Sequence, residues 1–331
     1  VSAPAAGWTR SRAALAVWGV ALVLALAAPW LLGPFPTRVL QQILLFGGLA
    51  IAWSMLGGFT QYWSFGHTAF VGLGAFAAAL LEQRLDPSMT GAAKMLLGTI
   101  AATSLGALVA ALLAIPILRL RGIYFAVAML AVAEIMGEAS KNFDLFQGAM
   151  GLSLPAVSVP GLTKVQLFYY LFLAFLVLCA VLFALVARSR FGTGLTCIGQ
   201  DEDTAAMLGV PTERYKTIAF VSSAALATLG GALYAHSLGF ITTGSVFRID
   251  ISFNMILFAM IGGIGTVLGP ILGATIMIVV TQVLLGELLD FHMLLTGVLL
   301  IAIVLIAPKG LLGLAARARL RLRKGREGAA A

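Results

Sequence analysis

The sequence predicts an all-α, polytopic integral membrane protein with about ten transmembrane helices, some of them short or broken at glycine. Three observations carry that prediction. The 331 residues are 61% hydrophobic and only 10% charged, with a mean hydropathy of +1.04, and a soluble fold has no way to hide so much apolar surface. The apolar residues fall in runs near the roughly 20 residues a helix needs to cross a bilayer. Dense glycines stand inside two of these runs, where they permit close helix approach and tolerate non-helical backbone.

The runs are 13–32, 39–58, 65–81, 95–118, 122–139, 165–187, 217–239, 251–263, 268–286 and 291–307. The first is long enough to span, and no small-residue cleavage site followed by a soluble domain marks it as a leader. The second ends at Gly57-Gly58. The third is short for a straight span. Arg119 and Arg121 separate the fourth from the fifth. The loop 140–164 contains Pro155 and Pro160 and reads as a connector, with room for a short surface helix. Arg188 and Arg190 close the sixth run, and Arg214 and Lys216 precede the seventh. The eighth is short and, with the ninth, reads as a broken pair around a Gly-rich turn. After 291–307 comes a basic tail, 308–331.

Charge placement orients the bundle. With residues 1–12 in the cytoplasm and strict alternation, fifteen Lys and Arg fall inside and six outside, together the 21 of the sequence. The excess on one side supports two cytoplasmic termini and places 188–216 on the cytoplasmic face. The net charge of +8 then needs no nucleic acid. Its concentration in the tail suits anionic lipid headgroups.

Between Arg188 and Lys216 a short amphipathic helix is predicted. Asp201, Glu202 and Asp203 put negative charge at its N-terminus, where the helix dipole favours it. Ala205 and Ala206 form its small-residue body, and Gly209 followed by Pro211 stops it. Arg214 lies just beyond. Such a helix exposed between two spans is a docking knob for a soluble partner, or else an ordinary solvated loop.

Two Gly-rich breaks interrupt the apolar runs. The first contains Gln61, Ser64 and His67, and the second contains Gly262, Gly263, Gly265 and Thr266. Irregular backbone at membrane depth is tolerated where protein or a water-filled cavity receives it. Both breaks are therefore candidates for a substrate path, with tight helix packing as the alternative. His67 fits either a packed, hydrogen-bonded role or a contact with ligand. Glu134 is the one carboxylate deep in a run. It is expected to make a structural hydrogen bond or to line the path. Glu138, four residues on, is near the outer end and solvated.

Several functions are excluded. No lysine sits in a GxxxxGK[ST] setting, so the chain has no P-loop for ATP. No HExxH, GxSxG or paired-carboxylate arrangement suggests catalysis. Cys179 and Cys197 have no CxxC or Cys/His ligand spacing, so no metal site or disulfide framework is predicted. No cofactor is called for, and no enzyme activity.

Four short motifs resemble those of the permease subunits of bacterial ABC importers, most of all the branched-chain amino acid permease family. Asp203-Thr204-Ala205-Ala206-Met207-Leu208-Gly209, with Arg214-Tyr215-Lys216 after it, is similar to the family's coupling loop. Ser64-Phe65-Gly66-His67-Thr68-Ala69-Phe70, Arg121-Gly122-Ile123-Tyr124-Phe125-Ala126 and the Gly262–Pro270 stretch resemble three further elements, in the family's order. Gly192-Thr193-Gly194 and Gly199-Gln200 stand where arginines are common, and Met129 where a threonine is.

The resemblance implies a permease domain over 13–307 in the bacterial inner membrane. It also implies a second homologous permease subunit, two cytoplasmic ATPase subunits that receive the 188–216 loop, and a periplasmic substrate-binding protein. The substrate implied is a branched-chain, apolar amino acid. Urea or a short amide is the alternative within the family. An ion-coupled secondary transporter is the alternative outside it, and it gives no reason for a cytoplasmic acidic-Ala-Ala-x-x-x-Gly helix.

Overall fold

The computed structural model describes residues 24–142, 150–284 and 297. Within them the chain is helical almost throughout. After a helical stretch at 24–31, the elements are α1 (Pro34–Ser54), α2 (Gly57–Thr60), α3 (His67–Arg84), α4 (Gly91–Ile117), α5 (Ile123–Asn142), α6 (Lys164–Arg188), α7 (Arg190–Gln200), α8 (Glu202–Met207), α9 (Thr212–Leu238), α10 (Thr243–Val246), α11 (Ile249–Gly262) and α12 (Leu268–Val279), which runs on into a π turn at Val280–Leu284. Two strands, β1 (Leu152–Ser153) and β2 (Phe240–Ile241), pair antiparallel.

Six stretches among the described residues are long and apolar enough to cross a membrane: α1, α4, α5, α6, α9, and α10 with α11 taken together as Thr243–Gly262. A seventh, Leu268–Gln282, is apolar but shorter. The predicted run 65–81 is α3, 18 residues long. Most of 13–32 and nearly all of 291–307 lie outside the described residues. The polytopic helical bundle that the composition demanded is therefore the observed architecture.

Local chemistry sets the helix ends. Thr163 and Gln166 form a reciprocal capping box at the start of α6, which satisfies two orphan N–H groups. Ser189 ends α6 and its Oγ accepts from Gly192 N at 3.1 Å to begin α7. Asp201 does the same for α8 through Thr204 N at 2.6 Å. One residue between each pair of helices is enough to redirect the chain, because a single side chain supplies the acceptor that the new N-terminus lacks.

The core is a seam of small residues. α9 lies between α3 and α4, while α1 packs on α6 and α12, and α12 packs on α11. On α9 the buried positions include Ala224, Ala227, Gly230, Gly231 and Ala235, and on α3 they include Ala69, Gly72, Gly74, Ala75 and Ala78. A Cβ on Gly74 would sit 2.0 Å from Thr228 O, and one on Gly231 would sit 2.1 Å from Val71 O. The two backbones thus touch at two reciprocal points, the close approach that small residues permit in lipid.

The connections collect at two ends. At one end Tyr62 meets Glu202, Lys216 meets Leu118 O, and Gly58 approaches Gly265. At the other end β1 pairs with β2, Ser140 bonds Thr243, and Gln41 bonds Val165 O. Loop 140–164, read as a connector, contributes β1 to this small sheet.

Candidate functional site

The segment 188–216 contains two helices rather than the one predicted. α7 lies against the bundle, and α8 projects from it. α7 can lie flat because of its glycines: a Cβ on Gly199 would be 2.3 Å from Phe59 O of α2. Gly192 and Gly194 are packed as closely, with a Cβ 2.1 Å from Val186 O and 2.4 Å from the Tyr215 ring respectively, so a long basic side chain has no room at any of the three.

α8 uses its three acidic residues in three ways. Asp201 is the N-cap, and the backbone N–H of Thr204 holds its carboxyl below the usual carboxylate range. Asp203 receives both of its hydrogen bonds from one Arg121 nitrogen, at 2.9 and 3.1 Å. Arg121 belongs to the Arg-Gly-x-Tyr-Phe-Ala element, so two stretches separated by 82 residues in sequence are joined at this point. Glu202 turns inward. Its Oε1 accepts from Lys216 Nζ at 2.7 Å and its Oε2 accepts from Tyr62 OH at 2.5 Å.

Lys216 is only 1% exposed. Its three N–H donors go to Glu202 Oε1, to Leu118 O at 3.1 Å and to Tyr62 OH at 3.3 Å. A buried ammonium is tolerated only when paired and fully hydrogen-bonded, and this one is. Burial first, and then the Glu202 carboxylate, push the Tyr62 phenol well above its ordinary range, so Tyr62 keeps its proton and donates it.

The outward face of α8 is apolar. Ala205 is buried, but Ala206 is exposed, and Met207 and Leu208 are 80% and 75% exposed. Gly209 follows with φ +86° and open space around its Cα, the left-handed stop that the sequence predicted. Arg214 is exposed at the start of α9. Sequence reasoning named the acidic and small residues of this loop and passed over Met207 and Leu208. The signal was available: two large apolar residues stand between an acidic N-terminus and a Gly stop in a helix of six residues, too short to bury every side it has.

The first Gly-rich break is a compact buried turn. Gln61 takes a left-handed φ of +58° and remains exposed. Ser64 and His67 are fully buried. Ser223 Oγ donates its single hydrogen to Ala52 O at 2.6 Å, so it accepts from His67 Nε2 at 2.7 Å. That fixes the hydrogen on Nε2 and makes Nδ1 the acceptor for Ser64 Oγ at 2.8 Å. A neutral histidine thus ties the break to α1 and α9, and in this conformation it is enclosed by protein.

The second break is a tight turn between α11 and α12. A Cβ on Gly262 would lie 1.6 Å from Gly269 O. Gly263 and Gly265 have φ of +124° and +81°. Thr266 Oγ1 donates to Gly263 O and accepts from Gly269 N, both at 3.0 Å. Gly265 and Thr266 are exposed, and Gly262 and Gly263 are buried. The two breaks approach one another where Gly58 faces Gly265 and Ile264.

Glu134 is exposed on α5, and among the described residues it makes no hydrogen bond. The structural bond expected for it is therefore not formed among the described residues. It lines a shallow recess with Gly137, Glu138, Lys141, Thr243 and Arg248. Glu138 pairs with Lys141 at 2.5 Å and Arg248 pairs with Asp250.

A bundle of membrane-length helices with small-residue seams, Gly-rich breaks and one helical knob outside it defines a polytopic membrane protein of the permease class. The chain belongs to the family described as branched-chain amino acid transport system / permease component, which matches residues 35–304. It is a transport protein of ABC systems, not an enzyme. It is 26% identical to the high-affinity branched-chain amino acid transport system permease protein LivM of Escherichia coli (strain K12), over 92% of this chain and 76% of that one. It is 28% identical to the probable branched-chain amino acid transport permease protein LivM of Methanocaldococcus jannaschii, over 68% and 70%. A shorter match, 34% identical over 33% of each chain, is to the autoinducer 2 import system permease protein LsrC of Salmonella typhimurium. No solved structure matches.

Proposed function

We propose that this chain is the membrane-spanning subunit through which an ABC importer passes branched-chain, apolar amino acids. Separate cytoplasmic ATPase subunits drive it, a second permease subunit completes the path, and a periplasmic binding protein delivers the substrate. The observation that carries the reading is the exposed apolar tip of α8, Ala206-Met207-Leu208, presented on a helix tied rigidly to the bundle by Glu202 and Asp203. Apolar side chains held outside a membrane bundle favour burial in a partner's cleft. A chain without a P-loop must take its energy from elsewhere, and an ATPase seated on α8 supplies it.

The substrate class is supported by the relatives named for branched-chain amino acid transport and by the scarcity of charge in the bundle. A path for an apolar side chain needs few polar contacts, and selection falls to the binding protein.

Replacing Leu208 or Ala206 by Glu tests both parts. The variants are expected to insert and fold normally but to lose co-purification with the ATPase subunits and to lose leucine uptake in proteoliposomes. Wild-type uptake in both would refute the docking reading. Uptake of urea in preference to leucine by the intact complex would refute the substrate.

A further inference from the structure

The Lys216 cluster does more than hold α8 in place. Lys216 Nζ, at the start of α9, gathers Glu202 of α8, Tyr62 of the first break and the Leu118 carbonyl just past the end of α4. Four segments of the chain therefore converge on one buried ammonium. Behind it the contacts continue through aromatic rings. Tyr62 packs edge-on against Phe125 of α5 at 5.0 Å, Phe125 meets Phe220 of α9 at 6.5 Å, Phe220 meets Phe70 of α3 at 5.7 Å, and Phe70 meets His67 at 6.2 Å. Lys216 also lies 5.1 Å over the Tyr62 ring. The chain of contacts runs from the base of the exposed knob to the buried Ser64–His67–Ser223 cluster without a gap.

The polar residues are an expensive way to join these segments if stability is all that is required. A buried ion pair is often no better for stability than apolar residues of similar volume. What it adds is geometry: the three hydrogen bonds of an ammonium fix the direction as well as the distance of each partner. A knob held by apolar contact and the exposed Arg121–Asp203 pair can still rock, whereas one held also by the buried Lys216 and Glu202 carries α9 and the first break with it.

We propose that Lys216, Glu202 and Tyr62 are positioning residues that make α8, the first Gly-rich break and the end of α4 move as one body, so that displacement of α8 reaches α5 and the His67 cluster. The proposal rests on the reading of α8 as the seat of an ATPase. It assigns Glu202 to the transmission of motion and not to the docking surface.

The test uses the complete complex in proteoliposomes, with spin labels on Thr204 of α8 and Arg119 beside Leu118, both exposed. The double variant Lys216→Met/Glu202→Leu removes both charges together and so avoids leaving one buried and unpaired. With the cluster intact, one narrow distance distribution is expected, the same with and without ATP. In the double variant its width should at least double, and leucine taken up per ATP hydrolysed should fall at least ten-fold. Tyr62→Phe removes one hydroxyl from the same cluster and should broaden the distribution to an intermediate width, which decides the matter if the double variant does not fold. A distribution that stays narrow in the folded variants overturns the proposal. The docking reading fails by a different result, retention of the ATPase subunits by Leu208→Glu protein, and the label distances report on the cluster whichever way that falls.

Discussion

Glu82 on α3 and His236 on α9 face each other at 2.7 Å, and neither side chain has any exposure. His236 Nδ1 lies 2.7 Å from Ala232 O, and a carbonyl can only accept, so Nδ1 carries a hydrogen. A single proton therefore lies between His236 Nε2 and Glu82 Oε1, and the pair has no net charge wherever that proton resides. Neutrality as a pair is what makes two ionisable side chains tolerable among apolar helices.

Breaking the pair should be costly. Glu82→Ala and His236→Ala each strand a buried polar partner and are expected to destabilise the protein by about 3 kcal/mol. Glu82→Gln keeps a side-chain donor for His236 Nε2 and should cost about 1 kcal/mol. Thermal inactivation half-lives in detergent separate the two cases, with both alanine variants far shorter-lived and the glutamine variant close to wild type. Equal half-lives for Glu82→Ala and Glu82→Gln would count against the hydrogen bond.

The α3–α9 crossing offers a second measurement. An added methyl on Gly231 meets the Val71 backbone at 2.1 Å, and one on Gly74 meets Thr228 O at 2.0 Å. Backbone has no rotamer with which to make room, so the helices must separate. Gly231→Ala or Gly74→Ala should destabilise by roughly 1–3 kcal/mol, the usual range for an overfilled core. Gly137→Ala meets nothing closer than Phe247 Cβ at 3.5 Å and should be tolerated. Similar melting temperatures for all three would mean that the crossing is looser than described.

How much of this was legible in the sequence depends on the kind of signal. Apolar run length gave the spans, because a helix in lipid must satisfy its own backbone and so declares itself by length. The boundaries of 95–118, 165–187 and 217–239 fall within a few residues of α4, α6 and α9. The α8 cap and stop were legible because capping is local chemistry. α7 was missed, since Gly192, Gly194 and Gly199 lower helix propensity, and only their fit against Val186, Tyr215 and Phe59 respectively explains them. The inward turn of Glu202 was invisible as well: its partners Tyr62 and Lys216 lie 140 and 14 residues away, and nothing in the acidic triplet distinguishes its three members. Glu82 and His236 passed unremarked for the same reason, being 154 residues apart.

The Asp201 cap gives a prediction with a sign in pH. Its carboxyl is depressed first by the Thr204 backbone N–H and then by the Thr204 side chain. A depressed carboxylate contributes to the folded state above its unfolded pKa of about 3.9 and loses that contribution as pH falls through the lower folded value. ATPase association should therefore not vary on account of this cap between roughly pH 5 and 8. Asp201→Ser or Asp201→Asn, which keep an acceptor oxygen, should preserve association, and Asp201→Ala should weaken it by fraying α8. Co-purification of the ATPase subunits with the three variants is the measurement. Equal yields with all three would show that the cap is not needed.

Glu134 poses the sharpest demand on a partner. On α5 the side chains of Ile123, Tyr124, Val127 and Ile135 are exposed, as lipid or another apolar surface requires. Glu134 shares that exposure, eight residues or about 12 Å along the helix from Asn142. A carboxylate facing lipid near the middle of a span costs about 2.5–3.5 kcal/mol even on insertion scales. The neighbouring cations offer no relief, since Lys141 is paired with Glu138 and Arg248 with Asp250. This face of α5 should therefore be covered by the second permease subunit or by the water of the path. Glu134→Gln removes the charge without touching any bond among the described residues, so assembly and heat stability are expected to stay within about 0.5 kcal/mol of wild type. Leucine uptake should fall at least ten-fold if the carboxylate borders the path. Uptake at the wild-type rate, with Glu134→Leu equally active, would return α5 to a packing role against lipid.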